Sequence, residues 1–347
     1  MTFMHERLEQ NRTVLAEAAG SRRLTSRFLF EPDQVMATLR ARIIGQDEVL
    51  EQVHALLKVV KADIGDPDRP LAVNLFVGPT GVGKTELVRL LALALHGKPD
   101  AFCRIDMNTL NQEHYAASLT GAPPGYVGSK EGTTLFDAEA IAGTYSRPGI
   151  VLFDELEKAS KGVLRSLLNV LDSGRLTLTA GSRALDFRNS LIFMTSNIGA
   201  EEARTYRQRF EGGWRRLLGL TPVQEQQVLE GALYRQFEPE FLNRIDRILY
   251  FRRLGGQQQL EAMLGIELEK LNRRLEKHGR RLELTEAAYR WLCSRYDPRF
   301  GAREIVRALR TQVEPALADA ILHAPQVQHF QADHGPHGWT LSAVASS

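Results

Sequence analysis

A chain of 347 residues, 43% apolar and 25% charged, has the material for one large core and a smaller accessory domain. Its 44 basic and 42 acidic side chains leave a net charge of +2, and the basic residues form no stripe, so a nucleic-acid footprint is not expected. Cys103 and Cys293 lie too far apart for a disulfide framework, no apolar run reaches the length of a membrane span, and the first residues lack the apolar core of a signal peptide. The expectation is a cytoplasmic enzyme that binds neither membrane nor nucleic acid.

In chain order, residues 1–35 stand apart as an N-terminal helical extension. Leu8, Val14, Leu15 and Ala18 make a weak helical stripe there. It reads either as a helix packed on its own domain or as a docking element for an adaptor or substrate. Residues 36–252 alternate helical and strand patterns, which predicts a doubly wound α/β domain. Within it, the apolar run Leu71–Val77 leads into Gly78-Pro79-Thr80-Gly81-Val82-Gly83-Lys84-Thr85, and a helical pattern follows. Strand, glycine-rich turn and helix together predict a loop that holds a nucleoside triphosphate. Backbone N–H groups and the helix N-terminus face the anion, Lys84 reaches its β- and γ-phosphates, and Thr85 offers a hydroxyl to Mg2+.

The run Gly149–Phe153 has the composition of a buried parallel strand and ends in Asp154-Glu155. That end places Asp154 near the metal and leaves Glu155 to orient or deprotonate a water. A helix is expected to start at Leu156. A further strand, Leu191–Met194, leads into Thr195-Ser196-Asn197. Asn197 reads equally as a hydrogen-bonding neighbour of the phosphates and as a plain turn residue. Arg244, ahead of the apolar stretch Ile248–Phe251, and Arg303, in the segment that opens a C-terminal helix, could each neutralise charge on a phosphoryl group.

Residues 253–347 read as a small, mostly helical domain. It has a helix over Gln257–Leu275, a second capped by Thr285 that buries Ala288, Trp291 and Leu292, and an edge strand near Trp339-Thr340-Leu341. His323, His329, His334 and His337 crowd this end, but their spacing fits no compact metal motif, and they read as surface residues.

Taken in order, several segments carry a family resemblance: Arg42-Ile43-Ile44-Gly45-Gln46-Asp47, the phosphate loop, Gly121–Gly128, Leu152–Glu155, Met194–Asn197, Pro239–Arg244 and Gly301-Ala302-Arg303. The set resembles the Clp family of AAA+ unfoldases, most nearly the second ATPase domain of the ClpB disaggregase and of ClpA, over about residues 36–343. The resemblance implies an AAA+ ATPase that uses ATP and Mg2+, assembles as a homo-oligomeric ring, expected to be a hexamer, and pulls on polypeptide substrates. Ile43 and Ile44 would border the adenine, Asp154 and Glu155 would be the metal-site acid and the catalytic base, and Asn197 would be a first sensor. Arg244 would reach into the neighbouring subunit's site, Arg303 would act within its own, and Tyr126 with Val127 would grip substrate from a central-pore loop. Leu218-Gly219-Leu220 has the form of the tripeptide by which protease-linked relatives dock on a barrel peptidase; packing at a helix end is its plainer reading. The chain departs from the family at Asn108-Thr109-Leu110 and at Ser129–Thr133, away from every nucleotide-contacting position. Feeding a peptidase and remodelling nucleic acid are the competing functional readings.

Overall fold

The computed structural model describes residues 26–110, 136–177, 184–211, 222–297 and 301–344. Tyr126, Val127, Leu218-Gly219-Leu220 and the stripe from Leu8 to Ala18 lie outside the described residues. Strands β1 (Ala72–Val77), β2 (Cys103–Asp106), β3 (Gly149–Asp154), β6 (Ser190–Ser196) and β7 (Arg247–Tyr250) form a parallel sheet in the order β2-β3-β6-β1-β7. The hairpin β4 (Arg175–Thr177) and β5 (Ala184–Asp186) stands apart from it. Every residue of β1, β3 and β6 is buried, as uninterrupted apolar runs require of strands covered on both faces.

The two faces follow the strand period of two. Val73, Leu75, Val151, Phe153, Ile192 and Met194 enter one core; Phe76, Ile150, Leu152, Leu191 and Phe193 enter the other. The second core is closed by helices α1 (Pro32–Arg40), α2 (Asp47–Ala62) and α3 (Lys84–His96). The first is closed by α4 (Lys161–Ser173) and by Leu229 and Leu233 of the helix Pro222–Gln236. This is the doubly wound α/β architecture read from the sequence. The boundary expected between residues 35 and 36 falls inside α1, however. Phe28 and Val35 are buried with Met36 and Leu39, so the extension is, from residue 26, built into the large domain.

The small domain has its own core of Leu264, Leu271, Leu292, Ile305, Val313 and Phe330. Its helices are α5 (Gln257–Glu276), α6 (Glu286–Ser294), α7 (Ala302–Ala308) and α8 (Glu314–His323). Thr285 caps α6, its hydroxyl accepting from Ala288 N–H at 3.2 Å. Between α7 and α8 the helix widens into a π turn over Leu309–Val313. Pro315, just beyond, has no N–H to return to the carbonyl four residues back. The expected edge strand is β10 (Gly338–Ala343), but it belongs to a three-stranded sheet with β9 (His329–Gly335) and β8 (Arg281–Leu284) that the sequence pattern did not reveal. His334 stacks on Trp291 with ring centres 4.3 Å apart, and among the described residues no group of histidine, cysteine or carboxylate side chains could hold a metal. No helix among them is long and apolar enough to cross a membrane.

Candidate nucleotide-hydrolysis site

The glycine-rich loop follows β1 and closes with Gly83 at φ 101°, a left-handed conformation in which a side chain would be strained. The helix then opens at Lys84, so its first N–H groups have no intrahelical partners and are free for an anion. Lys84 is buried, and its ammonium donates to Gly78 O at 2.6 Å, Pro79 O at 2.8 Å and Asn197 Oδ1 at 2.8 Å. Burial pulls its pKa down to about 8, and Arg303 adds to that; Glu157, Asp154 and Glu155 oppose it. Thr85, half-buried, is the next residue of α3.

Two parallel neighbours bring their carboxyl ends to the same edge. Phe153 pairs with Met194, which puts Asp154 beside Thr195 one step further on. The buried Thr195 hydroxyl donates to Asp154 Oδ1 and accepts from Glu155 N–H at 3.0 Å. Arg104, the second residue of β2, donates to Asp154 Oδ2 through Nη2 at 2.6 Å and Nε at 3.1 Å. Glu155 is exposed, at φ 60°, a backbone conformation held by its surroundings rather than by its own preference. The helix expected to start at Leu156 is interrupted by the extended backbone of Ala159 and Ser160. A single 3-10 turn, Leu156–Lys158, comes first, and α4 begins only after Ser160, whose hydroxyl accepts from Val163 N–H.

Asn197 lies at the centre. Its Oδ1 accepts from Lys84 and, at 3.4 Å, from Thr80 Oγ1, while its backbone N–H and its Nδ2 both donate to Glu157 Oε1 at 3.2 Å. From the small domain, Ala302 N–H donates to Gly81 O at 3.1 Å. At Gly301, with φ +61°, a Cβ would sit 2.8 Å from the carbonyl oxygens of Thr80 and Gly81, so only glycine allows this approach. Arg303, exposed in the first turn of α7, is thereby held near enough to Lys84 to act on its charge. On the other flank Ile43 is buried 3.7 Å from where a Cβ on Gly83 would lie, with the half-buried Ile44 beside it.

Lys84, Asp154, Glu155, Asn197 and Arg303 therefore surround one loop, whereas Arg244 pairs elsewhere, its Nε 2.9 Å from Asp172 Oδ1 near the end of α4. Thr195, Glu157 and Arg104 were not picked out as site residues from the sequence. Nor was Gln46, which exchanges hydrogen bonds with the backbone of Arg252, accepting at 3.0 Å and donating at 2.7 Å, where the large domain ends. The donor set fits a metal–triphosphate. Free N–H groups and a buried cation suit the phosphates, and a hydroxyl with a carboxylate suits the metal.

Residues 69–248 match the family described as AAA domain (Cdc48 subfamily), and residues 256–331 match the C-terminal, D2-small domain, of ClpB protein. A Pseudomonas aeruginosa protein named ATP-dependent protease ATP-binding subunit-like protein AmiB is 49% identical over 92% of this chain and 88% of its own length. A Rhodococcus erythropolis protein named ATP-dependent protease ATP-binding subunit-like protein is 43% identical over 84% of each. The chaperone protein ClpB of Meiothermus ruber is 40% identical over 88% of this chain but only 34% of its own length. The chain thus spans most of the two shorter relatives and about a third of the longer one. With a nucleotide-binding AAA domain followed by a ClpB-type small domain, it belongs to the Clp family of AAA+ ATPases.

Proposed function

We propose that this chain carries a Clp-like motor module, organised as a large domain to about residue 252 and a small domain from 253, which forms a hexameric ring and pulls polypeptides through its pore. The observation that carries the reading is the hydrogen-bonded convergence of Lys84, Asn197, Asp154, Thr195 and Glu155 at the ends of β1, β3 and β6. In this reading Lys84 and the loop N–H groups bind the phosphates, Ile43 and Ile44 border the base, and Thr85 and Asp154 hold Mg2+. The ion, when bound, supplies neutralisation of charge on the β- and γ-phosphates. Glu155 orients the attacking water, and its backbone, pinned by Thr195, keeps it beside Asp154. Asn197 hydrogen-bonds at the γ-phosphate position, Arg303 acts in the same subunit and Arg244 in the next. Tyr126 and Val127 supply the grip on substrate. A cytoplasmic location and an adaptor bound at the N-terminus complete the proposal.

Feeding a peptidase is the second reading. It is favoured by Leu218-Gly219-Leu220 and by relatives named ATP-dependent protease ATP-binding subunit-like proteins. Both readings share the hydrolysis chemistry, which one substitution tests. Glu155→Gln should bind a fluorescent ATP analogue as wild type does, while steady-state turnover falls by roughly 100-fold or more, because Glu155 acts on water in the transition state. Turnover equal to wild type would remove Glu155 from catalysis.

A further inference from the structure

Asn197 can serve phosphate chemistry only if its amide faces the right way, and an amide has two ways to face. Its carbonyl oxygen here accepts from Lys84 Nζ at 2.8 Å, while its Nδ2 and its own backbone N–H converge on a single carboxylate oxygen, Glu157 Oε1, each at 3.2 Å. Flipping the amide would set its NH2 against an ammonium and its oxygen against a carboxylate, two repulsive contacts in place of two attractive ones. We infer that Glu157 is a positioning residue for ATP hydrolysis: it locks the orientation of Asn197 and so holds Oδ1 on Lys84 and Thr80 beside the phosphate position, where that oxygen can accept from a water. The inference rests on the reading of Asn197 as a hydrolysis residue.

Three further observations support it. Glu157 sits on the 3-10 turn Leu156–Lys158, immediately after Glu155, and that turn is anchored by Leu156, which is 0% exposed. Its bond to Asn197 therefore also sets the distance between that side chain and Glu155. Of the carboxylates that favour a charged Lys84, Glu157 acts most strongly, ahead of Asp154 and Glu155. Finally, Glu157 Oε2 is buried without a hydrogen-bond partner among the described residues. A spare acceptor of this kind carries a desolvation penalty that purely structural carboxylates avoid.

The test compares full-length Glu157→Ala, Glu157→Gln, Asn197→Ala and the double variant Glu157→Ala/Asn197→Ala. Glutamine keeps an oxygen that can accept both bonds from Asn197, whereas alanine keeps none. We expect Glu157→Ala to lower kcat for ATP by on the order of 10- to 100-fold, as for partners that orient metal-site ligands. KM should stay within about twofold of wild type. Glu157→Gln should recover most of the loss, and the double variant should be no slower than Asn197→Ala alone, since residues acting as one unit are not additive. Glu157→Ala turning over like wild type, Glu157→Gln as impaired as Glu157→Ala, or fully multiplicative losses in the double variant would each overturn the inference. A wild-type kcat in Asn197→Ala would instead overturn the underlying role of Asn197. A fall in melting temperature that tracks the fall in kcat across both Glu157 variants would make the residue structural and would also overturn the proposal.

Discussion

In the proposed site, burial of the Lys84 ammonium beneath the phosphate loop should set a pH limit on nucleotide binding. Desolvation lowers its pKa to about 8 despite Glu157, Asp154 and Glu155 nearby. The group is charged below that pH and neutral above it, and a triphosphate favours the charged form, so the pKa must rise on binding. Below about pH 8 the proton is already in place and affinity should be flat. Above it, binding must take up a proton, and the dissociation constant should weaken by up to about tenfold per pH unit. Titrating Glu155→Gln with ATP at about pH 7 and about pH 9.5 measures this without turnover. Lys84→Arg, whose guanidinium stays protonated, should show no such bend whatever its absolute affinity. The same bend in Lys84→Arg would move the titration to another group. None of this was readable from the loop motif. The motif places a lysine near phosphate; how deeply it lies and which carboxylates surround it depend on tertiary contacts.

Among the elements, legibility follows burial. Strands β1, β3 and β6 are buried at every position, so their apolar runs stand out, and the helix period of α5 is as plain because a continuous face of it packs inward. Arg281–Leu284 offers no such signal: it is four residues long and only Leu282 is buried. What makes it a strand lies elsewhere, in its pairing with β9 and in Asn272, which looks like any polar helix residue in sequence. The buried Asn272 side chain accepts from Leu282 N–H at 2.8 Å and donates to Leu282 O at 2.9 Å, completing both backbone groups from the helix side. Asn272→Ala would leave both unpaired, at a cost of roughly 2–4 kcal/mol. Denaturant unfolding should report that loss. ATP binding should weaken with it, since α7 of the same domain touches the loop through Ala302. A stability change under about 0.5 kcal/mol would mean that water satisfies Leu282 in place of the amide. The turn at Leu156–Lys158 is too short to show in the sequence. Its residues suit a helix start, but Ala159 and Ser160 adopt extended backbone, at ψ 141° and 157°, and end it after three residues.

At the scale of the whole molecule, what matters is where Arg244 points. The other charged residues expected around the phosphates are gathered at one loop, while Arg244 is paired with Asp172 at 2.9 Å, with both side chains partly exposed. A cation that is half accessible and held by a single surface carboxylate is weakly committed to its own chain, because such pairs contribute at most about 1 kcal/mol. In the proposed ring it would exchange Asp172 for the phosphates of an adjacent subunit at little cost, and a site finished by its neighbour would couple hydrolysis to assembly. Three outcomes follow from that geometry. Specific ATPase activity of the wild-type protein should rise with concentration as rings form. Arg244→Ala should bind ATP with near wild-type affinity and lose turnover by on the order of 10³-fold, the usual scale of a missing arginine finger. Mixed with wild type, Arg244→Ala should depress activity more steeply than its mole fraction, because each variant subunit disables a neighbour's intact site. Activity that falls in simple proportion to the variant's share would place Arg244 in its own subunit's chemistry, and hydrolysis at full rate by a demonstrably monomeric protein would remove the shared site altogether.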